Sequence, residues 1–354
     1  MIYGRANTER LPRLLMRMAR KSQPAAKPTI INQDKVISKR INDNMKSDDK
    51  QKSDDKGITV KSFMDLTKFR LSQYNTLASY SMYLYYSPVF MPFESFIFVW
   101  ATQLITMSSQ AYNQVVEGEF DSKMRRTQNR PMAKKLISNQ TGGLISAGLA
   151  LGSFGFYMQL ANPGTILVAN SIWIGYWLVY TPLKRYSVHN TFVGAIIGSL
   201  PPFIGTWAQL GTLFTPETLL LSAYIFSWQY PHFYGILYEN RYDYKKAGYE
   251  MISNYDKDGV KATRHIKYST VLAITTPLGM AYTGLMSPVF LPAYYYFYAQ
   301  NLKAVKEFSE NWNEQNAKKM KMKSYTPFFV LLAGIYWSII YKRVMKPTKS
   351  EKST

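Results

Sequence analysis

Long apolar runs separated by short polar connections dominate the chain between residues 75 and 342. Each run is roughly 16–24 residues long, about the length that a helix needs to cross the hydrocarbon layer of a membrane. The pattern predicts nine membrane-spanning helices, at 75–92, 95–116, 138–160, 165–184, 191–212, 217–238, 267–287, 288–305 and 325–342. The first and eighth runs carry the weakest signal, and the aromatic-rich eighth is also typical of an interfacial segment. The sequence therefore predicts an all-α membrane protein.

Lysine and arginine are distributed unevenly among the connections. The connections near 87–94, 160–164, 211–217 and 285–292 contain neither residue, whereas 123–135, 184–185, 241–267 and 303–323 contain several. Because basic connections stay on the inner side of a membrane, this alternation places the N-terminus and the basic connections on one face, matrix or cytoplasm. Four cations near the C-terminus fall on the other face and form an exception, namely Lys342, Arg343, Lys346 and Lys349.

The chain outside the apolar runs is polar. Residues 1–22 are arginine-rich and acid-poor, as in a mitochondrial transit peptide, although an ordinary basic tail is the alternative. Residues 23–56 repeat KSDDK and have too few apolar side chains to fold. We predict a transit peptide and disordered polar linker at 1–56, a transmembrane domain at 57–345 and a polar tail at 346–354. An amphipathic surface helix is predicted at 62–74.

The charge and the absence of cysteine restrict the chemistry. The net charge of +21 would favour nucleic-acid binding in a soluble protein. Here much of it lies in membrane-facing connections and in the tail, where it serves topology and contact with anionic lipid. We therefore predict membrane lipid as a partner, and no nucleic acid. The chain has no cysteine, which excludes disulfides, thiolate catalysis and cysteine-based metal sites.

The segment 111–132 carries the strongest chemical signal. Asn113, Glu117 and Asp121 are spaced i, i+4, i+8, so they share one face of a helix. Three oxygen-bearing side chains in a stripe suit Mg2+. Phosphate-binding cations follow, namely Arg125, Arg126 and Arg130. The segment predicts a site for Mg2+ and a diphosphate, against the alternative of a solvated helix end with paired acids and arginines.

Further candidates lie where the fourth to sixth runs end. Tyr180, Lys184 and Arg185 close the fourth run, an arrangement that is also common as an interfacial anchor. The fifth run contains Pro201 and Pro202, which predict a kink and a central cavity. The polar side chains at the end of the sixth run are candidates for a second acidic site on the same face, namely His232, Glu239 and Asp243. For His232 a packing role is the alternative.

Taken together, these motifs resemble a known family. The chain contains N-x-x-x-E-x-x-x-D followed by M-x-R-T-x-x-R-P, then Y-T-P-L-K-R, L-P-P, W-Q-x-P-H-F and D-Y-x-x-A-G-Y, in order within residues 60–340. This order resembles the haem O synthase (protohaem IX farnesyltransferase) family of UbiA-type intramembrane prenyltransferases. The second motif departs from the quinone-prenylating relatives, because it has Ala247 in place of an aspartate and Glu239 upstream.

The resemblance implies a bundle of about nine transmembrane helices around a central cavity, so that 57–345 would be a transmembrane prenyltransferase domain. It implies farnesyl transfer from farnesyl diphosphate to the position-2 vinyl group of haem b, giving haem O for haem A synthesis. Mg2+ is the implied cofactor, with the ligands Asn113, Glu117, Asp121 and Asp243. The implied catalytic residues are Asp121, His232 and Asp243. The implied substrate-binding residues are Tyr180, Lys184, Arg185, Arg125, Arg126 and Arg130.

The surroundings and the alternatives follow from the same resemblance. We expect a multi-pass protein of the mitochondrial inner membrane with its motif loops on the matrix side. Haem A synthase and cytochrome oxidase assembly factors are candidate partners. One alternative is a UbiA-type enzyme that prenylates an aromatic or quinone precursor. Another is a transporter or assembly factor, since kinked helices also mark transporters, but the acids and arginines cluster at one membrane face.

Overall fold

The computed structural model describes residues 58–345, and these residues form an all-helical structure. The predicted transit peptide, linker and C-terminal tail lie outside the described residues. The helices of the described part are, in chain order, α1 Val60–Leu66, α2 Phe69–Tyr86, α3 Pro92–Asp121, α4 Asn139–Tyr157, α5 Thr165–Leu183, α6 Asn190–Leu210, α7 Pro216–Glu239, α8 Arg241–Ala247, α9 Val260–Tyr282, α10 Leu291–Glu310 and α11 Glu314–Met345.

Nine of the helices within residues 58–345 are long, and each overlaps one of the nine predicted runs. Three of them, α5, α6 and α11, are long and contain a stretch apolar enough to cross a membrane by length and composition. The other six fall short of one or more of these criteria. The predicted helical architecture is therefore observed, while the number of helices that cross the membrane stays a prediction.

The start of the domain differs from the prediction of a surface helix at 62–74. Lys68 adopts a left-handed backbone conformation with φ of 43°, which ends α1 and separates it from α2. Residues 69–74 therefore belong to the first long helix, which also ends earlier than predicted, at Tyr86. Pro88 explains the early end, because the residue before a proline is disfavoured in a helical conformation.

The long helices close into a bundle. Several long helices pack on the next long helix in the chain, namely α2 on α3, α3 on α4, α5 on α6, α6 on α7, α9 on α10 and α10 on α11. The last helix, α11, also contacts α2. Inside this arrangement α2 crosses α6, and α7 packs on both α9 and α11. At the crossing of α2 and α6, a Cβ added to Gly205 would lie 2.0 Å from the Ser79 carbonyl oxygen. Only glycine permits this approach of two helix backbones.

Two irregular turns interrupt the helices beside the interior. In α5 the turn Gly175–Tyr180 is widened into a π-helix, and the Thr181 hydroxyl donates to the Tyr176 carbonyl at 3.0 Å. In α6 the helix breaks at Leu200, before Pro201 and Pro202, as their missing N–H groups predict. The Ser79 hydroxyl of α2 donates to the Pro201 carbonyl at 2.8 Å. Neighbouring side chains thus satisfy carbonyls at both breaks, as a break within a membrane requires.

Candidate active site

The predicted acidic stripe lies on the inner face of α3. Asn113, Glu117 and Asp121 are only 1%, 4% and 3% exposed, although all three are polar. They line one cavity of about 160 Å³ at the C-terminal end of α3. Because residues four apart on a helix stack along one face, the spacing alone brings the three side chains together. The stripe faces the protein interior and not lipid.

Partly buried cations pair with both carboxylates of the stripe. The Lys184 ammonium lies 2.8 Å from Glu117 Oε1, and the Arg130 guanidinium lies 2.7 Å from Asp121 Oδ2. The Lys184 side chain is 12% exposed and that of Glu117 5%. Charges that are removed from water in this way require close partners. The structure therefore brings Lys184, the cation predicted after the fourth run, directly to the first acidic motif.

The widened turn of α5 places the aromatic and basic residues that follow it. Tyr176 and Tyr180 both line the cavity, and the Lys184 ammonium lies 4.4 Å from the centre of the Tyr180 ring. The Tyr180 ring in turn packs on Gly194 of α6, where an added Cβ would approach it to 2.5 Å. The glycine therefore leaves room for the ring, and the ring holds the ammonium in place. π-helical turns are frequent at functional sites.

A further cation of the cavity was not among the predicted site residues. Lys68, between α1 and α2, donates from its ammonium to Asn113 Oδ1 at 2.8 Å and to Gln110 Oε1 at 3.0 Å. Burial, together with repulsion from Arg130, lowers the pKa of Lys68 well below its usual value. A strained left-handed lysine beside a cavity is a sign of function. The sequence signal was weak, because one lysine in an amphipathic stretch is ordinary.

The four predicted arginines divide into two that line the cavity and two that do not. Arg126 and Arg130 line the cavity, and Arg126 donates to the Tyr244 hydroxyl at 3.1 Å. Arg125 and Arg185 do not line it. Arg185 donates to the Val116 carbonyl at 2.8 Å and stacks on Phe120, so it braces the end of α3. The predicted contacts of all four arginines with substrate stay predictions.

The two acids of the second predicted region, Glu239 and Asp243, have different partners. Asp243 accepts from the backbone N–H of Arg125 at 2.9 Å and pairs with its guanidinium at 3.4 Å. It thereby ties the loop after α3 to α8, whose neighbouring residue Tyr244 lines the cavity. Glu239 instead forms an ion pair with Lys321 of α11. The roles of Asp243 as a metal ligand and catalytic residue stay predictions.

His232 lies between α7 and α11. Its ring stacks on Trp228 with 4.7 Å between ring centres, meets Tyr325 edge-on at 4.7 Å, and its Nδ1 lies 3.2 Å from the Ser324 hydroxyl. Phe233, the next residue, lines the acidic cavity, whereas His232 does not. These contacts fit the packing alternative, and the catalytic role of His232 stays a prediction.

The donor set fits a magnesium ion that is completed by phosphate oxygens. No group of three or more His, Asp or Glu side chains in residues 58–345 is arranged as a metal site by itself. The stripe offers two carboxylates and one amide oxygen, all hard donors. Mg2+ in phosphoryl sites characteristically uses one or two carboxylates plus substrate phosphates and water. Asn113, Glu117 and Asp121 are thus suited to Mg2+ together with a diphosphate.

Replacement of Lys68 by asparagine tests whether its ammonium serves the cavity. Asparagine tolerates the left-handed conformation but brings no charge, so folding is expected to persist. We expect the KM for a diphosphate substrate to rise roughly tenfold, since one charge-assisted contact is lost. Steady-state kinetics of Lys68→Asn would be compared with Arg70→Gln, a change at an exposed cation two residues away. Equal KM values for the two variants would contradict a role for Lys68.

The fold and the cavity define an all-helical protein with a buried site of carboxylates and cations at one end of its bundle. A comparison with protein families identifies its class. The model of the UbiA prenyltransferase family matches residues 75–332, and the chain belongs to this family. The predicted UbiA-type all-α fold is therefore confirmed.

Two curated relatives share one name. The mitochondrial protoheme IX farnesyltransferase of Yarrowia lipolytica is 32% identical over 222 residues, which cover 62% of this chain and 46% of the relative. The protoheme IX farnesyltransferase of Solibacter usitatus is 36% identical over 198 residues, which cover 54% of this chain and 65% of the relative. The chain thus spans about half the length of the fungal relative and somewhat more of the bacterial one. The predicted resemblance to protohaem IX farnesyltransferases is confirmed.

Solved structures support the fold. A digeranylgeranylglyceryl phosphate synthase superposes with a TM-score of 0.64 at 14% identity, over 79% of this chain and 98% of that one. A UbiA homologue from Archaeoglobus fulgidus, solved with GPP and Mg2+, superposes with a TM-score of 0.51 at 15% identity, over 78% of this chain and 99% of that one. At such identities the likeness establishes the shared architecture.

Proposed function

We propose that this protein transfers a farnesyl group from farnesyl diphosphate to the position-2 vinyl group of haem b, giving haem O. The observation that carries the proposal is the cavity at the end of α3. There two carboxylates and an amide share one space with four cations, namely Lys68, Arg126, Arg130 and Lys184. The choice of haem as acceptor rests on the relatives named protoheme IX farnesyltransferase.

The cations of the cavity would bind the diphosphate and stabilise it as a leaving group. Lys184 and Arg130 are already fixed by Glu117 and Asp121, so little reorganisation is needed when negative charge develops. Mg2+, when bound by Asn113, Glu117 and Asp121, would supply further positive charge to the diphosphate oxygens. Because these acids and cations pair with each other, the residues suited to Mg2+ and those suited to the diphosphate surround the same cavity.

The aromatic residues of the cavity suit the next step. When the allylic C–O bond breaks, the bonding electrons leave with the diphosphate and positive charge develops on the farnesyl carbon. Tyr176, Tyr180 and Tyr244 line the same cavity, and aromatic rings can stabilise such a charge. The vinyl group then forms the new C–C bond, and water adds to the resulting cation and releases one proton. Exclusion of other water protects the intermediate charge.

The apolar chain of the donor would extend along α3 toward the middle of the bundle. A second cavity lies there, and Tyr176 lines both spaces. Its other walls include Ile105, Ile197 and Ile204. We propose that the farnesyl chain passes Tyr176 toward this cavity of about 70 Å³, which takes only part of the chain, while its diphosphate remains with Lys184.

The proposed location is the mitochondrial inner membrane, with the motif loops in the matrix. The fungal relative is named as mitochondrial, and the alternation of basic and uncharged connections places the loop after α3 and Lys184 on one face. Haem A synthase or cytochrome oxidase assembly factors are the proposed protein partners. This arrangement would pass the product directly to the next step of haem A synthesis.

Turnover of purified protein tests the proposal. Protein in detergent would be incubated with farnesyl diphosphate, Mg2+ and haem b, and haem products would be separated by chromatography and weighed by mass spectrometry. We expect a product heavier than haem b by one farnesyl group and one hydroxyl group. A parallel reaction would replace haem by 4-hydroxybenzoate. Prenylation of the hydroxybenzoate alone would favour a quinone-type enzyme, and no product with either acceptor would contradict prenyl transfer.

Replacement of His232 by phenylalanine separates catalysis from packing. Phenylalanine keeps a ring between Trp228 and Tyr325 and removes both nitrogens. If His232 acts in the reaction, we expect kcat to fall by about 10²-fold, as for a lost acid–base group, with the KM for farnesyl diphosphate unchanged. His232→Ala, which also removes the packing, would provide the comparison by its unfolding midpoint. An unaltered kcat in His232→Phe would assign the residue to packing.

A further inference from the structure

A groove of about 490 Å³ lies between α9 and α10, apart from the acidic cavity. Its α9 wall is formed by Thr263, Lys267 and Thr270, which are spaced i, i+4, i+7 and therefore share one face of the helix. Its α10 wall is formed by residues between Leu302 and Glu310. None of these five residues lines the acidic cavity. We call this site the lateral groove.

The two helices are joined at one end and leave the groove at the other. Near the start of α10, the Tyr294 hydroxyl donates to the Ala273 carbonyl at 2.7 Å, and the Tyr295 hydroxyl donates to the Ile274 carbonyl at 2.7 Å. The groove lies where the seventh predicted run begins, at 267, and where the eighth ends, at 305. It is therefore expected at the level of the lipid headgroups, on the face that carries the basic connections 241–267 and 303–323.

Thr263 is the residue of the groove that points to a ligand. It is 6% exposed, and its hydroxyl has no hydrogen-bond partner among residues 58–345. The Thr270 hydroxyl, two turns along the same face, donates to the Ile266 carbonyl at 2.9 Å, as a threonine within a helix commonly does. Because a buried hydroxyl without a partner is destabilising, an acceptor that enters the groove would gain a hydrogen bond that the protein does not make by itself.

Two lysines face the groove, one from each helix. No acid of the described part of the chain forms an ion pair with Lys267. Lys306 lies 3.7 Å from Glu310, and both of these side chains are exposed, so their pairing is weak. Two lysines against one glutamate leave the walls with one net positive charge. The groove therefore suits a ligand that carries one net negative charge.

An exposed apolar stripe continues from the groove along α9. Val271, Ile274 and Leu278 are exposed and follow Lys267 at i+4, i+7 and i+11, so they lie on the same side of the helix. The surface thus has a basic end at headgroup level and an apolar part beside it. These two parts match the phosphate and the acyl chains of a phospholipid.

We propose that the lateral groove binds an anionic glycerophospholipid. Its phosphate would accept a hydrogen bond from the Thr263 hydroxyl and lie between Lys267 and Lys306, and its acyl chains would extend along the stripe from Val271 to Leu278. Basic pockets between membrane helices on the inner side bind anionic headgroups in this way. The lipid would fill the space that the side chains of α9 and α10 leave open. The proposal does not depend on farnesyl transfer.

Lipid binding to the purified full-length protein tests the proposal. Native mass spectrometry would count bound phosphatidylglycerol, and the unfolding midpoint would be followed as phosphatidylglycerol or phosphatidylcholine is added. Lys267→Gln/Lys306→Gln is expected to weaken the apparent affinity for phosphatidylglycerol roughly tenfold. Lys246→Gln/Lys318→Gln, which removes two exposed lysines of the basic connections outside the groove, is expected to bind as the parent protein does.

Replacement of Thr263 by valine tests the unpaired hydroxyl. The variant is expected to unfold at the same or a higher temperature than the parent protein in lipid-free detergent, because a buried donor without a partner is removed. Its affinity for phosphatidylglycerol is expected to fall roughly threefold. The proposal is overturned if Thr263→Val or the double lysine variant binds phosphatidylglycerol as tightly as the parent protein, or if phosphatidylcholine stabilises the parent protein equally.

Glu310 distinguishes an anionic from a zwitterionic lipid. Glu310→Gln removes a negative charge from the groove and is expected to bind phosphatidylglycerol at least as tightly as the parent protein does. Phosphatidylethanolamine, whose ammonium could pair with Glu310, would be titrated in parallel. Tighter binding of phosphatidylethanolamine than of phosphatidylglycerol, lost in Glu310→Gln, would assign the groove to a zwitterionic lipid and overturn the proposal.

Discussion

Replacement of Asp121 by asparagine is expected to lower the rate of farnesyl transfer by roughly 10²–10³-fold, the usual effect of removing one electrostatic group from a reacting site. Asparagine keeps the size of the side chain but not its charge. It would leave Arg130 without its carboxylate partner and remove one of the two carboxylates that suit Mg2+. Single-turnover kinetics with farnesyl diphosphate and haem, over a range of Mg2+ concentrations, would measure the loss.

Glu239 offers a matched control for Asp121. It is also an acid at the end of a long helix and also has a basic partner, Lys321, but it does not line the acidic cavity. Glu239→Gln removes the same unit of charge and is expected to transfer farnesyl at close to the parent rate. If Asp121→Asn and Glu239→Gln had equal rates, the acidic stripe would not be the reacting site.

Replacement of Lys184 by methionine is expected to remove both diphosphate binding and a large part of the stability. The ammonium is the partner of Glu117, and both side chains are almost completely buried. A buried carboxylate that loses its partner costs about 3–5 kcal/mol. Denaturation in a mild detergent would measure that loss. The exposed pair Lys306 and Glu310 provides the comparison, since Lys306→Met is expected to cost less than about 1 kcal/mol.

A second substitution separates stability from function at this pair. In Lys184→Met/Glu117→Gln no buried charge is left unpaired, so most of the lost stability is expected to return. Farnesyl transfer should not return, because neither the cation nor the carboxylate is restored. Recovery of activity in the double variant would mean that the pair is purely structural. The absence of any recovery in stability would mean that the coupling between the two charges is weak.

The parts of the site that follow from one helix could be predicted from the sequence. The spacing of Asn113, Glu117 and Asp121 fixes a shared face, and the apolar run before them indicates that this face is buried. The break at Pro201 likewise follows from chemistry within the chain. Such features need no knowledge of which helices are neighbours.

Features that depend on contacts between distant segments could not be predicted. Lys68 meets Asn113 across 45 positions of the chain, and nothing near it in sequence distinguishes it from Arg70. Arg185 and Lys184 are adjacent and equally basic, yet one braces the end of α3 and the other meets Glu117. Their difference arises from the direction in which the end of α5 enters the bundle, which is a property of packing.

Because α5 contains a widened turn, the number of residues in that helix determines where Lys184 points. A π-turn accommodates one residue more than a regular helix would over the same rise, and the extra residue lies between Tyr176 and Tyr180. If the turn took regular geometry without losing that residue, everything beyond it would rotate by about 100°. Lys184 would then point away from Glu117 although no contacting residue had been changed. Substitutions that convert this short stretch to a regular helix would therefore alter the site as severely as replacement of a charged residue.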